Sequence, residues 1–224
     1  AGWPLDPTES EIIPLIQILE LHKQYPKIAL RLMNISTSKG VSILMNDNKR
    51  PLTSVLWWHL VNDNSNLYPF DIGWNVTPSL GSPNDRFSLI KGLEENTLTA
   101  ISVHSTPLDD SETKQPINKR KKGISGYNLV LPLLWEHLII KSGWKVEKLW
   151  EKISFGPSKF LNQPEEKLSL DSNRWLLFDP KKEWIPSNED NLLMTATNQP
   201  IKDTKICGKV IDCGLISQSS QNDL

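Results

Sequence analysis

Apolar residues first recur at helical spacing just after Thr8. Ile12, Ile13, Leu15, Ile16, Ile18 and Leu19 follow Thr8-Glu9-Ser10-Glu11, whose Thr-x-x-Glu spacing is that of a capping box. A helix to about Gln24 is predicted, with Pro14 tolerable only near its first turns. Lys27 to Met33 reads as a buried strand ending at Asn34-Ile-Ser-Thr, and a short helix is expected from Lys39 to Asn46. Leu52 to Leu56 is a second strand that runs into Trp57-Trp58-His59. Ser82 supplies an N-cap and Pro83 a first helical residue for a helix to about Glu95. Leu98 to Val103 is a third strand, and it enters a polar turn carrying His104.

Strands alternating with helices of this length imply right-handed βαβ units, hence an α/β fold with a parallel sheet. Three strands leave two unpaired edges, so this part of the chain wants more strands than it has. Asp109 to Lys122 has no apolar periodicity and reads as a mobile loop, with Lys119-Arg120-Lys121-Lys122 as a solvated basic run. Asn128 to Ser142 is a strongly apolar helix, Lys145 to Ile153 an amphipathic one, and Gly156-Pro157 opens a last short helix. Beyond Pro164 the texture turns strand-like, in Arg174 to Asp179, Asn191 to Thr195 and Lys205 to Ile211. The expected division is a unit over 1–165 and a small β domain over 166–224.

Composition narrows the partners. With 25 basic and 26 acidic residues in 224, no global field favours nucleic acid or an anionic membrane. No apolar run approaches the ~20 residues that span a bilayer, and the first residues lack the regions of a secretion signal, so a cytoplasmic protein is expected. A first residue of Ala rather than Met is expected of a processed product or a piece of something longer. Cys207 and Cys213 have no Cys or His pair around them and read as reduced strand residues.

Several segments together resemble the C-terminal half of dihydroorotase, in the amidohydrolase superfamily. Asn34-Ile-Ser-Thr-Ser38 looks like the family's His-Ile-Ser-Thr-Ala, Val76-Thr-Pro-Ser-Leu-Gly81 like Val-Asn-Pro-Pro-Leu-Arg, and Ile101 to Leu108 like Ile-Ala-Thr-Asp-His-Ala-Pro-His. Gly123-Ile-Ser-Gly-Tyr-Asn128 through Leu134 resembles Gly-x-x-Gly-Leu-Glu-Thr-x-Leu-Pro-Leu-Leu, and Gly156-Pro-Ser-Lys159 resembles Asn-Pro-Ala-Lys. Trp175 to Pro180, Asn198-Gln-Pro and Gly208-Lys-Val210 extend the likeness to the β domain. The resemblance implies strands six to eight, with their helices, of an eight-stranded TIM-type barrel, and a reaction in pyrimidine biosynthesis in which zinc activates water to open a cyclic amide.

The departures from the family pattern fall on the ionisable positions. Asn34 stands at the sixth-strand ligand histidine, and His104 at the eighth-strand aspartate that binds metal and takes a proton from water. The two family histidines after that aspartate are Ser105 and Leu108, and the substrate-binding positions are Thr77, Gly81 and Asn128. No His-x-His pair is present. The resemblance thus implies a degenerate homologue with a binding or scaffolding role, no metal ligand and no cofactor in this chain although the family uses zinc, and aspartate transcarbamoylase or a homo-oligomer as partner. The alternative is a fragment of an active zinc-dependent dihydroorotase or related cyclic amidohydrolase, and a small-ligand-binding protein using the altered pocket is a third class. His104 is the one candidate base, while surface or capping roles are expected for His22 and His137 and packing for His59. Trp57 and Trp58 would fill the old active-site mouth or anchor a partner, and Trp135, Trp150 and Trp175 would pack.

Overall fold

The computed structural model describes residues 6–68, 71–116, 119–169, 172, 174–186 and 196–215. Helix α1 spans Glu9–Gln24 and buries Ile12, Leu15 and Leu19. Its capping box does not form. Thr8 makes no side-chain cap, and Glu11 instead reaches across to Ser36 and Thr37, where three donors compete for its carboxylate. Strand β1 (Arg31–Leu32), helix α2 (Ser38–Met45), strand β2 (Leu52–Leu56), helix α3 (Trp58–Val61), helix α4 (Pro83–Glu94) and strand β3 (Ala100–Ser102) follow. The strands pair in parallel in the order β1-β2-β3, with Leu32 opposite Thr53 and Val55 opposite Ile101.

β2 is buried along almost its whole length, as a central strand covered on both faces must be. β1 is shorter than the run Lys27 to Met33 predicts, because only Arg31 and Leu32 face a partner strand; Ile28 and Met33 are exposed. The cores of α2 and α4 pack on one another through Val41 and Gly92, where a Cβ would sit 3.1 Å from the valine. At the start of α4 the predicted cap is present as a full capping box between Ser82 and Asp85.

In the segment expected to be a mobile loop, several of the described charged residues pair, within the segment and with Asp6. Asp109 and Glu112 form a capping box for helix α5 (Asp110–Thr113), and Lys121 bonds Glu112 at 2.6 Å. Lys122 pairs with Asp6 and Gly123 N–H donates to the Asn75 carbonyl at 2.7 Å. Of the basic run, Lys121 pairs with Glu112 while its side chain stays 68% exposed, and Arg120 donates to the Gln115 carbonyl, as a solvated run can.

Helix α6 (Tyr127–Leu134) continues in wider π-helical winding over Trp135–Lys141. Helix α7 (Val146–Trp150) does the same over Glu151–Phe155 before running into α8 (Gly156–Leu161). Gly156 is required there, since a Cβ would collide with the Thr99 carbonyl at the start of β3. Strands β4 (Arg174–Trp184) and β5 (Ile206–Leu215) form an antiparallel ribbon with two register shifts. The ribbon lies on α6: the Phe178 ring meets Trp135 at a tilt, 5.3 Å between centroids, and Gly208, at φ 92°, leaves room for both Phe178 and the Pro132 backbone. Trp175, expected to pack, is 40% exposed and lies across the ribbon against Gly214, which has no side chain to cover it. The strand predicted over Asn191 to Thr195 lies outside the described residues. Among the described residues no helix is long and apolar enough to cross a membrane.

Candidate functional site

In a parallel sheet every strand delivers its C-terminal end to the same face, and that face gathers the candidate residues. Asn34 leaves β1 at φ 63°, a left-handed conformation that a short amide side chain tolerates. Its N–H donates to Ser54 Oγ at 3.2 Å on β2. Its Oδ1 lies 3.1 Å from the Ser102 hydroxyl on β3, which is also 3.2 Å from the Val55 carbonyl and donates to one of them at a time. The amide thus ties the end of β1 to the far strand.

Trp57, Trp58 and His59 turn inward at the end of β2. Trp57 is 1% exposed and donates to the His104 carbonyl at 3.4 Å; Trp58 is also buried and meets the His104 ring edge-on, 6.4 Å between centroids. An exposed partner anchor is therefore the wrong reading of this pair. They are packing under the histidine turn, and Trp58 Nε1 is left without a hydrogen bond. His59 is buried with Nε2 3.2 Å from the Ser79 carbonyl. Burial outweighs its hydrogen bonds to Ser79 and Pro78 and lowers its pKa to about 4, so the ring is neutral near pH 7. His104 itself is exposed, and its imidazole accepts or donates no hydrogen bond among the described residues.

The turn after β3 is clamped from below by a residue that sequence reasoning did not single out. Asn198 is fully buried; its Oδ1 accepts from Leu108 N–H at 2.9 Å and its Nδ2 donates to the Thr106 carbonyl at 2.9 Å. Its own carbonyl accepts from Ser125 N–H at 3.3 Å. The Asn198-Gln-Pro likeness was the only sequence signal for it. Thr106 N–H and Ser105 Oγ both donate to the Ile124 carbonyl, at 2.7 and 3.1 Å. Leu108 is buried as a core residue, and so does not line an open site.

A cavity of about 600 Å³ opens beside the end of β1 and brings together Asn34, Thr77 and Gly81. It does not include His104, Leu108 or Asn128. Asn128, at the start of α6, keeps both amide atoms buried without a partner, as does nearby Ser125 Oγ. The peptide bond between Thr77 and Pro78 is cis. Glu11 and Asp85 also line the cavity. Burial alone would raise the Asp85 carboxyl, but hydrogen bonds from Ser38 and Ser82 outweigh it and hold the group below its usual range.

His22 Nε2 lies 3.0 Å from the Ile28 carbonyl, closing the turn that follows α1. His137 is partly buried, and that burial, with Lys141 beside it, lowers its pKa to about 4. Among the described residues no group of three His, Cys, Asp or Glu could hold a metal. The two strand-end positions that the resemblance assigns to metal ligands offer one imidazole and one amide oxygen already engaged by Ser102. That donor set falls short of the three or four N, S or carboxylate ligands zinc takes, and does not fit the ion on its own.

Comparison with known proteins bears out the resemblance read from the motifs. The chain is 32% identical over 221 residues to a probable dihydroorotase-like protein of Synechocystis sp., covering 94% of this chain and 48% of that one. It is 29% identical over 191 residues to a dihydroorotase of Thermus aquaticus, covering 81% of this chain and 45% of that one. Among solved structures, dihydropyrimidinase from Brevibacillus agri superposes with a TM-score of 0.78 at 16% identity, over 93% of this chain and 48% of that one, which shows a shared fold. The chain spans about half the length of the curated relatives it matches. No family model matches it.

Proposed function

Starting from a dihydroorotase-like α/β chain, we propose that this protein is a catalytically degenerate homologue whose role is binding or scaffolding and not hydrolysis. In this reading β1, β2 and β3 are the counterparts of barrel strands six, seven and eight, residues 1–165 are the barrel half, and 166–224 are the composite β domain. The observation that carries it is the pair of strand ends: Asn34 offers an amide oxygen that faces the Ser102 hydroxyl, and the exposed His104 packs edge-on against Trp58 with no hydrogen bond to its ring among the described residues. A general base at this position needs a nucleophile made reactive by a metal, and the residues here do not supply that metal's ligands. Aspartate transcarbamoylase or a second copy of the chain is the partner we propose, and the cytoplasm the compartment.

The test is made on the full natural protein. Metal content is measured after purification without chelators, and hydrolysis of dihydroorotate is followed in both directions. The expected result is substoichiometric zinc and no turnover above the uncatalysed rate. Stoichiometric zinc, with turnover abolished by His104→Ala, would instead establish a fragment of an active cyclic amidohydrolase.

A further inference from the structure

Helix α1 carries more apolar surface than the described fold uses. Seven of its sixteen residues are isoleucine or leucine, and of these only Ile12, Leu15 and Leu19 are buried. A helix on the outside of a folded domain ordinarily has one apolar stripe and keeps the rest of its circumference polar. α1 has a second stripe. Pro14, Ile18, Leu21 and Tyr25 recur at intervals of four, three and four, the spacing of the seam between two packed helices. All are exposed: Ile18 by 36%, Leu21 by 49% and Tyr25 by 59%, with Pro14 in the same class. Ile28 extends the interval and is 61% exposed, in a turn fastened to the helix by the contact between its carbonyl and His22 Nε2.

α2 does not cover this stripe, because the flank of α1 that meets α2 is the one where Ile16 and Ile43 line a common groove. No charged residue interrupts the stripe, and on the helical wheel Gln17 and Gln24 border it. Covering it therefore desolvates no ion and leaves amides at the rim, the layout of a protein interface. The stripe also complements itself. Laid antiparallel across a two-fold axis, it sets Ile18 against Leu21 of the second copy and the bulky Tyr25 over the small Pro14. The two helix dipoles then oppose, with the acidic first turn of each copy, Glu9 and Glu11, toward the basic last turn of the other, His22 and Lys23. The exposed fractions correspond to about 1,000 Å² for the pair with its rim, the size at which specific but weak dimers begin.

We infer that α1 is a dimerisation surface, closed by a second copy of this chain through an antiparallel pair of α1 helices. The inference rests on the reading that the chain's role is binding, and it deepens that reading by choosing the partner and the residues it meets.

Sedimentation equilibrium of the full natural protein from about 1 to 200 µM is the direct test, and a reversible monomer–dimer equilibrium with a Kd of about 1–50 µM is expected. Leu21→Glu places two carboxylates in the seam and should weaken the dimer at least about tenfold, while the melting profile of dilute, monomeric protein stays as it was. Tyr25→Ser, at a still more exposed position, should weaken it in the same direction and keeps the test open if Leu21→Glu disturbs the monomer. Ile140→Glu, at an exposed site on the helix after α6, should leave the equilibrium unchanged. A monomer throughout the concentration range overturns the inference, and so does a dimer that Leu21→Glu and Tyr25→Ser leave as tight as before. The degenerate reading fails separately, on stoichiometric zinc and turnover, neither of which alters the mass of the particle.

Discussion

Replacing Asn198 by alanine is expected to loosen the histidine turn without touching it. In the native protein the side chain closes two hydrogen bonds across some ninety residues of chain, to Leu108 N–H and to the Thr106 carbonyl, each at 2.9 Å. Leu108 is buried, so its N–H would be left unpaired away from water, at a cost of about 1–3 kcal/mol. Thr106 is exposed and its carbonyl can rehydrate, which limits that loss to the ordinary net value of a hydrogen bond, about 0.5–1.5 kcal/mol. The sum, roughly 1.5–4.5 kcal/mol, is about a tenfold to two-thousandfold change in the folding equilibrium and should appear as a lower urea midpoint at unchanged slope. Hydrogen exchange locates the effect: the Leu108 amide should lose protection while amides in β2 follow only the global change. In Asn198→Asp the acceptor for Leu108 survives but a carboxylate faces the Thr106 carbonyl, so part of the lost stability should return at acidic pH, where the protonated acid can donate. A midpoint shift worth under about 0.5 kcal/mol, or a Leu108 amide as protected as before, would refute the clamp.

Two further perturbations follow from particular groups. His59 has a folded pKa of about 4 against 6.5 for the free ring, so the unfolded chain binds the extra proton in that window. Stability is full above pH 6.5 and falls as the pH drops toward 4, by about 1.4 kcal/mol per unit and roughly 3 kcal/mol in all; His59→Phe should flatten this slope in a pH series of denaturation curves, and an unaltered slope would count against it. Gly156→Ala forces a methyl against the Thr99 carbonyl and should lower stability by about 1–3 kcal/mol, read as a depressed thermal midpoint; a neutral result would mean that α8 can move off β3.

The parts of the structure legible in the sequence are those whose causes are local. The Ser82-Pro83 start of α4 and the buried run of β2 both follow from residue types at fixed local offsets. What local pattern missed was decided by distant groups. Glu11 has the spacing of a capping box, yet three donors from Ser36 and Thr37, before α2, outbid the helix's own N–H groups. The polar stretch from Asp109 looks like solvated loop until Lys121 and Lys122 find Glu112 and Asp6. The strand-end candidates illustrate both cases: Asn34 at the end of β1 and Thr77 and Gly81 in the single loop before α4 share one cavity, whereas Leu108 is buried and Asn128 holds its amide in a separate buried corner. Asn198 was marked only by the Asn198-Gln-Pro likeness, which says nothing of its clamp on Leu108 and Thr106, ninety residues away.

The mutual fit of Gly81 and Asp85 also couples the two positions. Asp85 now caps α4, holds the first residue of α2 and occupies the space above residue 81, so it has become structural in three ways at once. A mutation that placed arginine at 81 would have to evict that carboxylate before it could meet a ligand, and the intermediate would lose a helix cap while gaining nothing. Neither single step is favourable alone. Placing arginine at 81 therefore requires a matching change at 85, so the two positions are coupled and neither can be rebuilt alone.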